Sequence, residues 1–220
     1  MPEPIRLIAL TGRAGAGKDS VAATLVGRLN YHAIAFADAL RAEIAEAWRI
    51  DARMLQDPAT KEWPIPALAI LNCGDTAFTK WALVSHDDLG DTPMWGPRSP
   101  RWIMQRWGDF QRLRRGDDYY ALKVVRRINR RIGSGWTRFV VTDLRFQVEM
   151  MDLAVLCRNA PVMKVLRVLR PSLPAPTDRH ASETDLLRLL AEAELVNDGT
   201  LDDLANNVLR MERDLFGAAP

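Results

Sequence analysis

The sequence is poor in residues that build disulfide frameworks and zinc sites: two cysteines, Cys73 and Cys157, and three histidines stand in 220 residues. Their spacing matches no metal-ligand pattern, so both thiols read as ordinary reduced side chains. Long apolar runs are missing too. None approaches the ~20 residues of a membrane span, and the N-terminal stretch MPEPIRL lacks the basic-then-apolar layout of a signal peptide. A net charge of only +2 argues against a nucleic-acid partner. These absences point to a cytoplasmic protein with no membrane association. With 48% hydrophobic residues the chain can bury a substantial core, and its length suits one domain carrying an insertion.

What is present begins with GRAGAGKDS, Gly12 to Ser20, which completes the pattern G-x-x-x-x-G-K. In a phosphate loop the glycines let backbone N–H groups converge on phosphate oxygens, and the lysine places a positive charge near the terminal phosphates. Gly12, Arg13, Ala14, Gly15, Ala16, Gly17, Lys18, Asp19 and Ser20 are thus candidate nucleotide contacts. An apolar strand around Ile5 to Leu10 precedes the loop, and Val21, Leu25 and Leu29 follow at helical spacing. The dinucleotide fingerprint fails because Ser20 stands where its last glycine belongs.

Strand-like segments HAIAF, RFVVT, VMKVLRVL and ELV alternate with helical ones, which predicts a parallel sheet of about five strands with helices on both faces. Stripes at Leu40, Ile44 and Trp48, at Val148, Met151 and Val155, and at Leu201, Leu204, Val208, Met211 and Leu215 read as buried helix faces, the last capped by Thr200. RRINRR, Arg126 to Arg131, reads as the solvated face of an amphipathic helix carrying Ala121, Val125, Ile128 and Ile132, with a nucleic-acid stripe as the rival. The proline- and tryptophan-rich stretch 51–104 reads as an insertion, with Trp63, Trp81 and Trp95 packing on the core or, alternatively, stacking on a base. A second irregular stretch, 170–184, suits a flap over a ligand or a static surface loop.

VVTDLR ends an apolar strand in Asp143, which places a carboxylate at the edge of the sheet where ligands of open α/β folds collect; Arg145 can turn toward the same crevice. A surface ion pair is the plain alternative. An aspartate at position 19 would repel phosphates unless a cation lay between them, so Asp19 and Asp143 are the candidate Mg2+ contacts; Asp19 could instead cap the helix or pair with an arginine. Arginine far outnumbers lysine, which suits bidentate clamping of phosphate, and no residue stands out as a general base.

Taken in order, GRAGAGKDSVA, FADAL, RWIMQRWGD, DDYYALKV, VVTDLRFQVEM, VLRP, RHASE and LVNDGTLDDL make the chain resemble the bacteriophage-type deoxynucleoside monophosphate kinases of the P-loop kinase superfamily. The resemblance implies a three-layer sandwich, a helical insertion for the acceptor, a short lid, and Mg2+-dependent transfer of the ATP γ-phosphoryl group to a deoxynucleoside monophosphate. It gives Lys18, Asp19 and Ser20 to donor phosphates and metal, Asp143 and Arg145 to the reaction crevice, and Asp38, Gln105 and Arg112 to the acceptor. Arg170, Arg179 and His180 fall on the lid side, Asn197 and Asp198 near the donor base. Gly108-Asp109-Phe110 departs from the family's usual Gly-Thr-acidic pattern, and the arginine expected after it is either Arg112 or Arg114. Plainer roles stand beside these: a helix cap for Asp38, solvent exposure for Gln105, a turn for Asn197 and Asp198. A kinase resembling dephospho-coenzyme A kinase, with a hydroxyl acceptor, is the nearer rival; a nucleotide-dependent nucleic-acid-binding switch is the more distant one. If phage-encoded, the protein would work in host cytoplasm, as a monomer or a homodimer.

Overall fold

The computed structural model describes residues 4–57, 59–84, 92–157, 161–174 and 189–217. The chain divides into two compact units, Met1–Phe36 with Tyr120–Pro220, and Ala37–Tyr119.

The first unit is built on a five-stranded sheet. Its strands are β1 (Arg6–Thr11), β2 (His32–Ile34), β3 (Arg138–Val141), β4 (Val162–Leu169) and β5 (Ala193–Val196), in the order β2-β3-β1-β4-β5. Every pairing is parallel: Ile8 faces Val140 on β3 and Lys164 on β4, and Leu166 faces Ala193. All six residues of β1 are buried, as the central strand of a parallel sheet covered on both faces must be. The fold is therefore the expected three-layer α/β sandwich.

The helices of this unit are α1 (Lys18–Leu29), α5 (Tyr119–Ile132), α6 (Gln147–Leu156) and α7 (Leu201–Phe216). Val21 and Leu25 of α1 pack with Leu204 and Val208 of α7 around Ile8, Leu10, Val140, Leu166 and Leu195. Thr200 caps α7 as its sequence position suggests: the Asp203 N–H donates to Thr200 Oγ1 at 3.1 Å while the Thr200 N–H donates to Asp203 Oδ2 at 3.0 Å. Leu201, at the head of the α7 stripe, is exposed. Helix α5 buries Ala121, Val125 and Ile128 and exposes Arg126, Arg130 and Arg131, the solvated face expected of RRINRR.

Helix α6 corrects an expectation. Met151 and Val155 are exposed, whereas Glu149 and Leu153, one turn apart, are buried. Apolar residues surround this helix, so hydrophobicity alone defines no stripe; orientation follows Glu149, whose Oε2 accepts the N–H groups of Arg145 at 2.9 Å and Phe146 at 3.0 Å.

The second unit contains α2 (Phe36–Trp48) beyond its first residue, 3-10 turns at Ala52–Leu55, Pro66–Leu68 and Ile70–Asn72, α3 (Thr76–Val84) and α4 (Pro100–Arg115). Its own core joins Ile44, Trp48, Leu55, Leu68, Ile70, Phe78, Ile103, Trp107 and Phe110. Trp48 lies edge-on to both Phe78 and Trp107, with centroids 5.3 and 5.6 Å apart. Glu43 ties Trp107 to Tyr119, accepting from Trp107 Nε1 at 3.0 Å and from the Tyr119 hydroxyl at 2.8 Å. Trp81 packs against this core, but Trp63 and Trp95 are exposed. The packing expected of all three holds for Trp81 alone, because Trp48, Phe78, Trp107 and Phe110 already fill the centre.

Candidate active site

Strand order reverses at β1, whose chain continues toward β2 on one side while β4 lies on the other. The loop leaving its carboxyl end thus enters the crevice where open α/β sheets collect ligands. Gly12 is required there twice over. Its φ is 131°, and a Cβ would come within 2.4 Å of the Val168 carbonyl oxygen on β4. Gly15 and Gly17 also take left-handed conformations, with φ of 78° and 103°.

Gly17 stands at the N-cap of α1 without a side-chain cap, which leaves the helix head open to an external anion. Lys18 Nζ folds back over the loop and donates to the carbonyls of Gly12 at 2.7 Å and Arg13 at 2.9 Å. These bonds hold the ammonium in the loop's concavity. Asp19 is exposed and Ser20 half-buried in the first turn of α1.

The structure brings several candidate residues onto this loop. Arg170 Nη1 makes a long 3.5 Å contact with Gly15 O, and the Arg13 guanidinium donates to the Pro174 carbonyl. Asn197 Nδ2 donates to Ala16 O at 2.9 Å. Asp198 is exposed beside it in sequence. Arg179 and His180 lie outside the described residues, as does the proposed lid beyond Pro174.

Asp143 follows β3, and its Oδ1 accepts the Phe36 N–H at 2.8 Å. The Leu144 N–H donates to Leu10 O at 3.0 Å, so the segment carrying Asp143 and Arg145 is laid against the end of β1. The Glu149 carboxylate, through its bond to the Arg145 N–H, ties that segment to the first turn of α6. Sequence reasoning missed Glu149; an acid in the first turn of α6 was its only signal.

In the second unit Asp38 pairs with Arg41 at 2.7 Å. It sits inside the first turn of α2 rather than at its cap. Gln105 and Arg112 share one face of α4 seven residues apart, and Gln105 is half-buried rather than simply solvated. Asp109 Oδ1 accepts from Arg112 Nη2 at 3.0 Å, and Arg106 stands 3.8 Å from the other carboxylate oxygen. Asp109 therefore supplies a local counter-ion to two arginines. Arg114 instead approaches Asp75 at 3.7 Å.

Among the described residues no group of three or more His, Cys, Asp or Glu side chains is arranged around a metal position. Mg2+ does not need one: it keeps several waters and binds through one or two carboxylates plus substrate phosphates. The oxygen donors of Asp19 and Asp143 fit that chemistry. Burial pushes the thiols of Cys73 and Cys157 up to about 11, so both are inert hydrophobes. No described helix is long and apolar enough to cross a membrane.

The sequence matches no protein-family model and no curated protein. Among solved structures it is similar to a sugar kinase from Janibacter sp., at 14% identity over 97% of both chains with a TM-score of 0.47. It is also similar to a dephospho-CoA kinase from Campylobacter jejuni, at 10% identity over 96% of this chain and 97% of that one, TM-score 0.45. A Thermus thermophilus protein gives 18% identity over 98% of this chain and 100% of that one, TM-score 0.44. Similarity at this level says nothing of substrate.

Proposed function

We propose that this chain is a phosphate-loop phosphotransferase. More particularly, it transfers the ATP γ-phosphoryl group to a deoxynucleoside 5′-monophosphate, giving the diphosphate. The observation that carries the reading is the loop itself: three glycines at positive φ, one of them packed against the Val168 carbonyl, an uncapped helix head, and Lys18 held across the Gly12 and Arg13 carbonyls. Donor phosphates would lie on the amides of 13–20, with Lys18 and Arg170 countering their charge. Asp19 and Asp143 would hold Mg2+, which when bound neutralises charge on the phosphate oxygens. On the acceptor side Asp38, Gln105, Arg112 and Arg179 would contact the monophosphate, and Arg145 would face the transferring group. A phosphate acceptor is already anionic near neutral pH and asks for no general base.

A coupled ADP assay with a panel of deoxynucleoside monophosphates tests this. ADP is expected only when ATP, Mg2+ and an acceptor are all present. The reading falls if folded protein binds ATP yet turns over no nucleotide, ordinary or modified, and turnover of a hydroxyl acceptor instead would favour a small-metabolite kinase.

A further inference from the structure

Asn197 follows β5 in a segment that reads as a simple turn, yet its side chain spans 181 positions to reach Ala16 O. Three observations make this bond a clamp. The Asn197 backbone is itself anchored, its N–H donating to Leu169 O at 2.7 Å beyond the last β4–β5 pair. The amide occupies the only place a side chain at position 17 could go, since a Cβ on Gly17 would lie 2.3 Å from Nδ2. And the amide orientation is fixed by chemistry, because the reverse would set two acceptor oxygens face to face.

The consequence lies in the peptide that Asn197 grips. In a trans peptide unit C=O and N–H point in opposite directions. Holding Ala16 O toward β5 therefore turns the Gly17 N–H away from it, at the position where the loop becomes α1. We propose that Asn197 is a positioning residue of the phosphate loop: its amide presets the Ala16–Gly17 peptide so that the Gly17 N–H is aimed at a bound phosphate before nucleotide arrives. This rests on reading the loop as a triphosphate cradle. It gives the Asn197 side chain a role distinct from contact with the donor base.

The test compares wild type, Asn197→Ala and Asn197→Asp by hydrogen exchange of the loop amides without nucleotide and by calorimetric titration with ATP. Asn197→Asp keeps the shape but loses the donor, so it carries the same test if the alanine variant does not fold. Both variants are expected to exchange the Ala16 and Val21 amides, which donate to Arg13 O and Gly17 O on either side of the gripped peptide, about tenfold faster and to bind ATP about tenfold more weakly, with the acceptor KM unchanged. A merely structural role would speed exchange across β4 and β5 alike and leave the ratio of loop to strand exchange unmoved, which overturns the proposal. So does ATP affinity within about twofold of wild type, whatever the exchange shows. Should wild type bind no ATP, the triphosphate reading fails, and the loop-amide comparison alone decides the clamp.

Discussion

Phe36 donates its backbone N–H to Asp143 Oδ1 across 2.8 Å, so the carboxylate that follows β3 also holds the first residue of α2. A bond of this kind stabilises whether or not the aspartate meets a metal. Two variants separate the roles. Asp143→Ala removes charge and acceptor and is expected to cost about 1 kcal/mol, the size of a lost helix cap. Asp143→Asn keeps an oxygen for Phe36 and loses only the charge, so its melting temperature should stay near wild type. Turnover should fall at least about tenfold in both. Wild-type turnover in Asp143→Asn would reduce the residue to a cap.

Lys18 and Gly12 fail in opposite ways when changed. Lys18→Ala breaks two hydrogen bonds to loop carbonyls but leaves the backbone conformation available, so the fold should persist while turnover drops about a hundredfold or more. Gly12→Ala drives a Cβ into the Val168 carbonyl and demands a left-handed φ. It should destabilise by more than about 1 kcal/mol. Thermal melts beside turnover measurements distinguish the two, and equal stability of both variants would contradict the close approach at Gly12.

Buried charge decides the next contrast. Arg6 Nη1 donates to Glu212 Oε1 at 2.8 Å, and the Tyr31 hydroxyl donates to the same oxygen at 2.9 Å, with all three residues buried. Burial, reinforced by Glu212, keeps the Tyr31 phenol protonated. Glu212→Ala strands the Arg6 charge beneath α7, a loss of about 3–5 kcal/mol. The Asp51–Arg53 pair is as short but exposed, and Asp51→Asn should leave the melting temperature unmoved. Denaturant titration of both variants checks the ranking.

The five strands and the phosphate loop were legible because each is local: a buried parallel strand is an apolar run, and Gly12 through Ser20 is one continuous motif. What escaped was set by contacts that no hydrophobic pattern records. The Asn197 turn discloses nothing of a bond to Ala16. The burial of Glu149 over Met151 depends on two N–H groups that precede α6, and the exposure of Trp63 and Trp95 depends on which aromatics had already filled the second core. Acceptor-side residues were placed by resemblance, and the structure adds that Arg112 and Asp38 are each held by an oppositely charged neighbour on the same helix.

His32 gives a prediction in pH. Its ring lies 4.9 Å from Trp136 and 6.3 Å from Phe139, and its buried Nε2 has no hydrogen-bond partner among the described residues. Burial, then the charges of Arg131 and Arg127, lower its pKa from the usual 6.5. The unfolded chain therefore binds this proton more readily than the folded one, so the contribution of neutral His32 is complete above pH 6.5 and declines as pH falls toward the folded value. Below both values the loss is complete. Replacing the ring with an uncharged side chain removes the titration, so between about pH 7 and pH 5 the His32→Gln melting temperature should fall less than that of wild type. Parallel slopes for the two proteins would show that His32 is protonated equally in folded and unfolded chains, and the cost of charging it beside two arginines would have been overestimated.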